Sequence, residues 1–254
     1  MVPSDMRETL RIAAVADIHV KKTSAGTLQP LFSKINEEAD VLLLCGDLTD
    51  FGTIEEAKIL AKEVAASLRI PSLAVLGNHD CESNQEKDVV DILTDAGVVM
   101  LDGTSYELEG VGFAGVKGFA GGFGRRALGA WGEKMIKDFV HETINEALKL
   151  EAALARLRTP QKIGVLHYSP IQATVQGEPP EIIAFLGSSR LEEPLDRYRV
   201  TAVFHGHAHR GSPDGRTKNG APVYNVAMPV LATAFPDRPP FRVIEVPVGE
   251  PVHA

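Results

Sequence analysis

Cysteine and aromatic residues are scarce in this chain: two Cys, one Trp and 6% aromatics among 254 residues. Cys45 sits inside an apolar run and Cys81 beside a polar turn, so no disulfide framework is expected to hold the fold. No uninterrupted apolar run is long enough to cross a bilayer, which argues against a membrane partner. Positive charge is also in short supply. Lys and Arg number 26 against 34 Asp and Glu, a formal net charge of −8, which argues against stable nucleic-acid binding, since such proteins neutralise phosphates with a basic face. No long apolar segment precedes Arg11, and the run Ile12 to Ala16 ends at Asp17 rather than at a cleavage site, so a cytoplasmic location is the expectation. Apolar residues make up 44% of the chain, enough to fill one sizeable core, and no linker interrupts it. Residues 1–254 therefore read as a single domain.

Five short polar stretches stand out against this background: Asp17-Ile18-His19, Gly46-Asp47, Gly77-Asn78-His79-Asp80, His167, and Gly206-His207-Ala208-His209. Each of the first four follows an apolar, β-branched run: Arg11 to Ala16, Val41 to Cys45, Leu73 to Leu76 and Ile163 to Leu166. Val200 to Phe204 leads in the same way into His205 and the last stretch. In open α/β sheets the carboxyl ends of strands face a common crevice, which would gather these distant side chains in one place. Asp17, His19, Asp47, Asn78, His167, His207 and His209 would then converge as metal ligands.

Two divalent ions about 3.5 to 4 Å apart repel by roughly 19 kcal/mol at an effective dielectric of about 20, so such a pair needs an anionic bridge. Asp47 is the natural bridge, because its strand falls between those carrying Asp17 and Asn78. Asp17, His19 and one distal histidine remain for the first ion, and Asn78 with two histidines for the second. Mixed imidazole and carboxylate ligands suit transition metals (Mn, Fe, Zn, Co or Ni) better than Mg or Ca.

In this order, Asp-x-His, Gly-Asp, Gly-Asn-His-Asp, His and Gly-His-x-His resemble the calcineurin-like metallophosphoesterase superfamily. The resemblance implies an α/β fold, a four-layered sandwich of two mixed β-sheets flanked by helices. It implies that Asp17, His19, Asp47 and His209 hold one metal, and Asp47, Asn78, His167 and His207 the other. His79 would be the catalytic histidine beside phosphate. The expected reaction is hydrolysis of a phosphoester by a hydroxide bridging two divalent or trivalent ions, with His79 stabilising phosphoryl charge or protonating the departing oxygen. The loops after Asp47 and Asn78 lack the arginines of the protein phosphatase branch, and Leu48, Thr49 and Asp50 lack the tyrosine of purple acid phosphatases. Gly46-Asp47-Leu48-Thr49-Asp50 is instead similar to the small bacterial phosphodiesterase branch, which points to small phosphodiesters such as cyclic nucleotides. A phosphomonoesterase, a nucleotide pyrophosphatase and a non-catalytic scaffold of the retromer type are the alternatives.

The remaining elements follow from periodicity and punctuation. Thr53 and Glu56 form a capping box that opens a helix running to about Leu68. Asn84 is expected to cap a second helix that Gly97 stops. Strands are expected at Val98 to Leu101, Ser105 to Leu108 and Val111 to Val116, and a long amphipathic helix from Glu133 to Arg158. Val223 to Val226 and Phe241 to Val246 are expected to close the second sheet. His205, His207 and His209 alternate, so on extended backbone they would point the same way. His205 reads either as support for a ligand or as packing, Asp80 as a residue that orients His79 or caps its loop, and His141 as a surface histidine. His253 is terminal and outside the ligand set. Arg125 and Arg126, on a glycine-rich loop, are candidates for gripping substrate, with a solvated surface connection as the alternative. The segment from Gln172 to Arg190 reads as a pocket wall or an oligomer contact, and a homo-oligomer is left open.

Overall fold

The structure, a computed structural model, describes residues 8–248; His253 lies outside them. Apolar strands and amphipathic helices alternate along the chain. They run β1 (Thr9–Val15), α1 (Gln29–Glu38), β2 (Val41–Cys45), α2 (Ile54–Ser67), β3 (Ser72–Val75), α3 (Glu86–Asp95) and β4 (Val98–Met100). The second half carries β5 (Thr104–Leu108), β6 (Val111–Gly115), α4 (Lys134–Arg156), β7 (Gln161–Val165), α5 (Glu192–Arg197) and β8 (Ala202–His205). It closes with β9 (Asp214–Arg216), β10 (Pro222–Asn225), α6 (Met228–Ala234) and β11 (Arg242–Pro247).

Two mixed sheets result, one in the order β11-β1-β2-β3-β4 and the other β5-β6-β7-β8-β10-β9. The strand period of two sorts their side chains. Leu10, Ile12, Leu43, Cys45, Leu73 and Val75 of the first sheet pack against Phe113, Ile163, Val165 and Phe204 of the second. On the outer face of the first sheet, Val15, Leu42 and Leu44 meet Phe32, Leu60 and Val89 of α1, α2 and α3. On the outer face of the second, Ala114 and Val203 meet Leu150, Leu154 and Leu195 of α4 and α5. These faces give the expected four layers.

The capping box on α2 is formed, with Thr53 accepting from Glu56 N–H and Glu56 reaching back to Thr53 N–H. Three expectations are corrected. Asn84 does not cap α3; its backbone is left-handed (φ 52°), and Gln85 takes the cap position without a side-chain bond because its Oε1 faces Ile54 N–H at 3.3 Å. The Phe241 to Val246 segment does not close the second sheet. As β11 it pairs antiparallel with β1, from Thr9↔Pro247 to Ala14↔Arg242, covering an edge the first sheet would otherwise expose. His205, His207 and His209 do not share one extended run, since the strand ends at His205 and His207 is left-handed (φ 70°). Four elements carry no clear sequence signal, α1, α5, β9 and α6. α1 buries only Phe32 and Ile35 and has no side-chain cap, and β9 is three residues long.

Candidate metal centre

β2 lies between β1 and β3, all parallel, so the residues after Val15, Cys45 and Val75 leave the sheet at one edge. The loops they enter are stitched together by backbone bonds: Asp17 N–H to Gly46 O (3.0 Å), His19 N–H to Asp47 O (3.0 Å) and Val20 N–H to Leu48 O (3.0 Å). β7 and β8, also parallel, deliver His167 and His207 from the second sheet, with Gly206 N–H bonded to His167 O at 3.1 Å. The two halves meet directly. Asp17 accepts the His207 backbone N–H at 3.0 and 3.2 Å, and His167 Nδ1 lies 3.0 Å from the Cys45 carbonyl.

One ligand atom from each of Asp17, His19, Asp47 and His209 lies within 4.8 Å of the others, and the same holds for Asp47, His167 and His207. Asp47 belongs to both groups. Asn78 joins the second through its Oδ1, 2.9 Å from His167 Nε2. His79 stands beside the cluster, with its Nε2 4.0 Å from Asp47 Oδ2 and its ring edge-on to His19 at 4.6 Å.

Several features fit a cation here. His167 Nδ1 faces the Cys45 carbonyl and donates to it, which aims Nε2 at Asn78 Oδ1 (2.9 Å) and Asp47 Oδ1 (3.4 Å), a ring nitrogen and two side-chain oxygens grouped as metal ligands would be. Both ring nitrogens of His19 are buried without a hydrogen-bond partner. His207 Nε2 is 3.2 Å from the Phe185 carbonyl, which leaves Nδ1 for the site. Burial, with help from His167, pushes the His207 imidazole down to about 3, and burial also lowers His19, so both rings are neutral, the form that binds metal. Burial would raise Asp17, but the hydrogen bond from His209 (2.8 Å) and the neighbouring histidines hold it below the usual carboxylate range. His209 is raised in turn, first by that bond to Asp17. Asp47 is 1% exposed. The shape is cut to its side chain, since a Cβ at Gly77 would fall 2.1 Å from Asp47 Oδ1.

The backbone carries strain in the same place. Asp17, His19, Asp47 and His207 are four of the seven left-handed non-glycine residues described (φ 58, 42, 49 and 70°). Such conformations persist where surrounding bonds impose them, and they cluster at functional sites.

Other expectations resolve individually. Asp80 caps its loop: it is fully buried and accepts from Leu48 N–H, Thr49 N–H, the Thr49 hydroxyl and Gly77 N–H (2.6 to 3.1 Å), tying the Asp47 loop to the Asn78 loop. His79 is oriented by a residue that composition did not single out: its Nδ1 lies 2.8 Å from the Asp50 carbonyl. His205 is packed away from the ligands, its Nε2 on Thr174 Oγ1 and its Nδ1 on Gly206 O, both at 2.8 Å, and burial lowers it to about 4. His141 is exposed on α4. Arg125 and Arg126 form an exposed 3-10 turn, and among the described residues no hydrogen bond or ion pair links them to the seven ligand candidates. Arg126 lines a cavity of about 170 Å³ with Phe123, Gln172, Pro180 and Ile183. That cavity borders the turn whose Phe185 carbonyl meets His207. A larger concavity, about 440 Å³, is lined by Leu231, Phe235, Arg238 and Phe241, none of them in the cluster. The Asp50, Cys45 and Phe185 partners act through backbone carbonyls, which leave no trace in residue type.

Comparison with known proteins agrees with this geometry. A protein of Arcobacter nitrofigilis named Probable glycerophosphodiester phosphodiesterase GpdQ is 27% identical over 185 residues, 71% of this chain and 60% of that protein. An uncharacterised Methanocaldococcus jannaschii protein, MJ1162, is 29% identical over 113 residues, 44% of this chain and 45% of its own length. The chain thus spans about half to three fifths of these relatives. Phosphopantetheinyl hydrolase (PptH) of Mycobacterium tuberculosis has a similar fold, with a TM-score of 0.66 at 15% identity over 96% of this chain and 97% of that one. The protein TT1561 of Thermus thermophilus gives 0.55 at 17% identity, over 95% of this chain and 100% of the other. The calcineurin-like phosphoesterase family matches residues 10–211, from the second residue of β1 through the last histidine of the cluster, and the chain belongs to that family.

Proposed function

We propose that the chain is a dinuclear-metal phosphoesterase that hydrolyses phosphodiesters, small ones such as cyclic nucleotides in particular. The observation that carries the reading is the membership of Asp47 in both ligand groups. Asp17, His19, Asp47 and His209 would hold one ion, and Asp47, Asn78, His167 and His207 the other. A bound pair of transition-metal ions (Mn, Fe, Zn, Co or Ni) would supply positive charge for the phosphate and lower the pKa of the attacking water. Asp47 is fixed for bridging because its Oδ1 also accepts the His79 backbone N–H at 2.9 Å. His79 donates from Nδ1 to the Asp50 carbonyl, so its Nε2 is left for the substrate. There it would hydrogen-bond a phosphoryl oxygen or pass a proton to the departing oxygen.

Diester preference is supported by charge. The loops after Asp47 and Asn78 carry Leu48, Thr49, Asp80 and Cys81 where a monoester site would place cations to neutralise a second negative charge. The name of the Arcobacter relative agrees with it. Arg125 and Arg126, if they touch substrate, would grip its outer part.

The test is elemental analysis of the purified protein together with paired assays on bis(4-nitrophenyl) phosphate and 4-nitrophenyl phosphate under added manganese. Bound metal with a higher kcat/KM on the diester is expected. A higher value on the monoester would turn the reading to a phosphomonoesterase, and metal without turnover on either would favour a scaffold.

A further inference from the structure

Lys117 lies two residues beyond β6, at the edge of the second sheet where His167 also emerges. Its carbonyl accepts from His167 N–H (3.0 Å) and Tyr168 N–H (3.1 Å), so its backbone is anchored to a candidate ligand. The side chain is half-buried, with the ammonium 5.2 Å from the centre of the Phe119 ring and 5.4 Å from that of Tyr168. The Tyr168 ring in turn lies 4.5 Å from His207 and 5.5 Å from His167. The Lys117 charge also reaches Cys81, whose thiol burial pushes up to about 11 while Lys117 opposes the rise; the Cys81 Sγ contacts Gly77 O at 3.5 Å, next to Asn78. Lys117 therefore sits among the residues that frame Asn78, His167 and His207.

In this acidic protein several cations have found a carboxylate. Lys149 pairs with Glu146 and Asp102, Lys218 with Glu192, and Arg242 with Asp214. Among the described residues no ion pair engages Lys117, whose one polar contact is the Gly118 carbonyl at 3.4 Å. A partly dehydrated ammonium over two aromatic faces is held in position by cation–π attraction, and its donors stay free for an anion.

We propose that the Lys117 ammonium receives a phosphate oxyanion of the substrate, with Phe119 and Tyr168 holding it in place. This rests on the phosphoesterase reading. The oxyanion belongs either to the phosphate being cleaved or to a further phosphate on the same molecule. Substitution of the side chain leaves the structural bonds of Lys117 intact, because those are made by its carbonyl.

The experiment uses the manganese-loaded protein and two linear dinucleotides, with and without a 5′-phosphate. In Lys117→Met, KM rises roughly 10- to 100-fold, the scale of one charge-assisted hydrogen bond, while kcat changes less and Lys117→Arg recovers most of the loss. A rise on both substrates assigns the contact to the cleaved phosphate, and a rise confined to the phosphorylated one assigns it to the second. Unchanged KM on both, or a fall in kcat alone, overturns the proposal. Should Lys117→Met fail to fold by circular dichroism, Lys117→Gln replaces it. If the wild-type protein cleaves neither dinucleotide, linear dinucleotides are not its substrates, and the phosphoesterase reading stands or falls on the chromogenic diester and monoester. Calorimetric titration with methylenediphosphonate then still tests Lys117, since equal affinity in wild type and Lys117→Met overturns the contact.

Discussion

Left-handed backbone at Asp17, His19, Asp47 and His207 costs on the order of 1–3 kcal/mol per residue, and that cost is borne where the ligand groups meet. Asp47 is the position on which both groups depend, so Asp47→Ala is expected to lose both metals and all activity, whereas Asp17→Ala mainly weakens one ion. Elemental analysis decides it: a full pair in the Asp47 variant removes the bridge. His79 bonds Asp47 through its backbone N–H and lies edge-on to His19 but belongs to neither ligand group, so His79→Ala should keep its metals while turnover falls by roughly 100-fold or more. Protons compete with metal at His209. Its pKa is raised, chiefly by the bond to Asp17, so its proton is held to higher pH than in an ordinary histidine and must leave when Nε2 turns to a metal. Metal uptake should therefore release protons, and release should diminish as pH rises above that raised pKa. Calorimetry in buffers of different ionisation enthalpy measures this, and an equal heat in all buffers near neutrality counts against it.

At the scale of elements, strand ends aim the chemistry and glycine-bearing loops make room for it. Gly77→Ala would drive a Cβ onto Asp47 Oδ1 and Asp47 N, 2.1 and 2.2 Å away, so metal content should fall together with a stability loss of about 1–3 kcal/mol from overpacking. Denaturant unfolding and metal counting of that variant give both numbers, and normal values for both would show that the loop yields. The glycine-rich loop before α4 makes a different prediction. If Arg125 and Arg126 grip the outer part of the substrate, replacing both with alanine raises KM more than it lowers kcat.

These elements also show what could be read in advance. The strands before Asp17, Asp47, Asn78 and His167 were legible because buried parallel strands are continuous apolar runs, and α2 because Thr53 and Glu56 announce its start. The partner of β11 was not legible, since alternation specifies a buried face and says nothing about which sheet edge receives it. Asp50, Cys45 and Phe185 orient histidines through carbonyl groups that every residue owns, and Lys117 is exposed as a candidate only by the rings it lies over.

Taken whole, the molecule is a net anion with its candidate metal ligands gathered at one edge of the paired sheets. Long polyanions should be repelled by the surface beyond the site, so kcat/KM is expected to be higher for a cyclic nucleotide or dinucleotide than for a single-stranded oligonucleotide, with the gap narrowing as salt is added. A preference for the oligonucleotide at low salt would contradict this. The ligand candidates also come from both sheets: Asp17, His19, Asp47 and Asn78 from the first, His167, His207 and His209 from the second. Bound ions would then clasp the two halves, adding about 2.7 kcal/mol of stability when free metal is 100-fold above its dissociation constant. Chelation should lower the melting temperature and quicken hydrogen exchange first in the loops after β7 and β8. In a living cell, metal supply would set the abundance of such a protein as well as its activity, because copies left without ions open more often and meet proteases sooner.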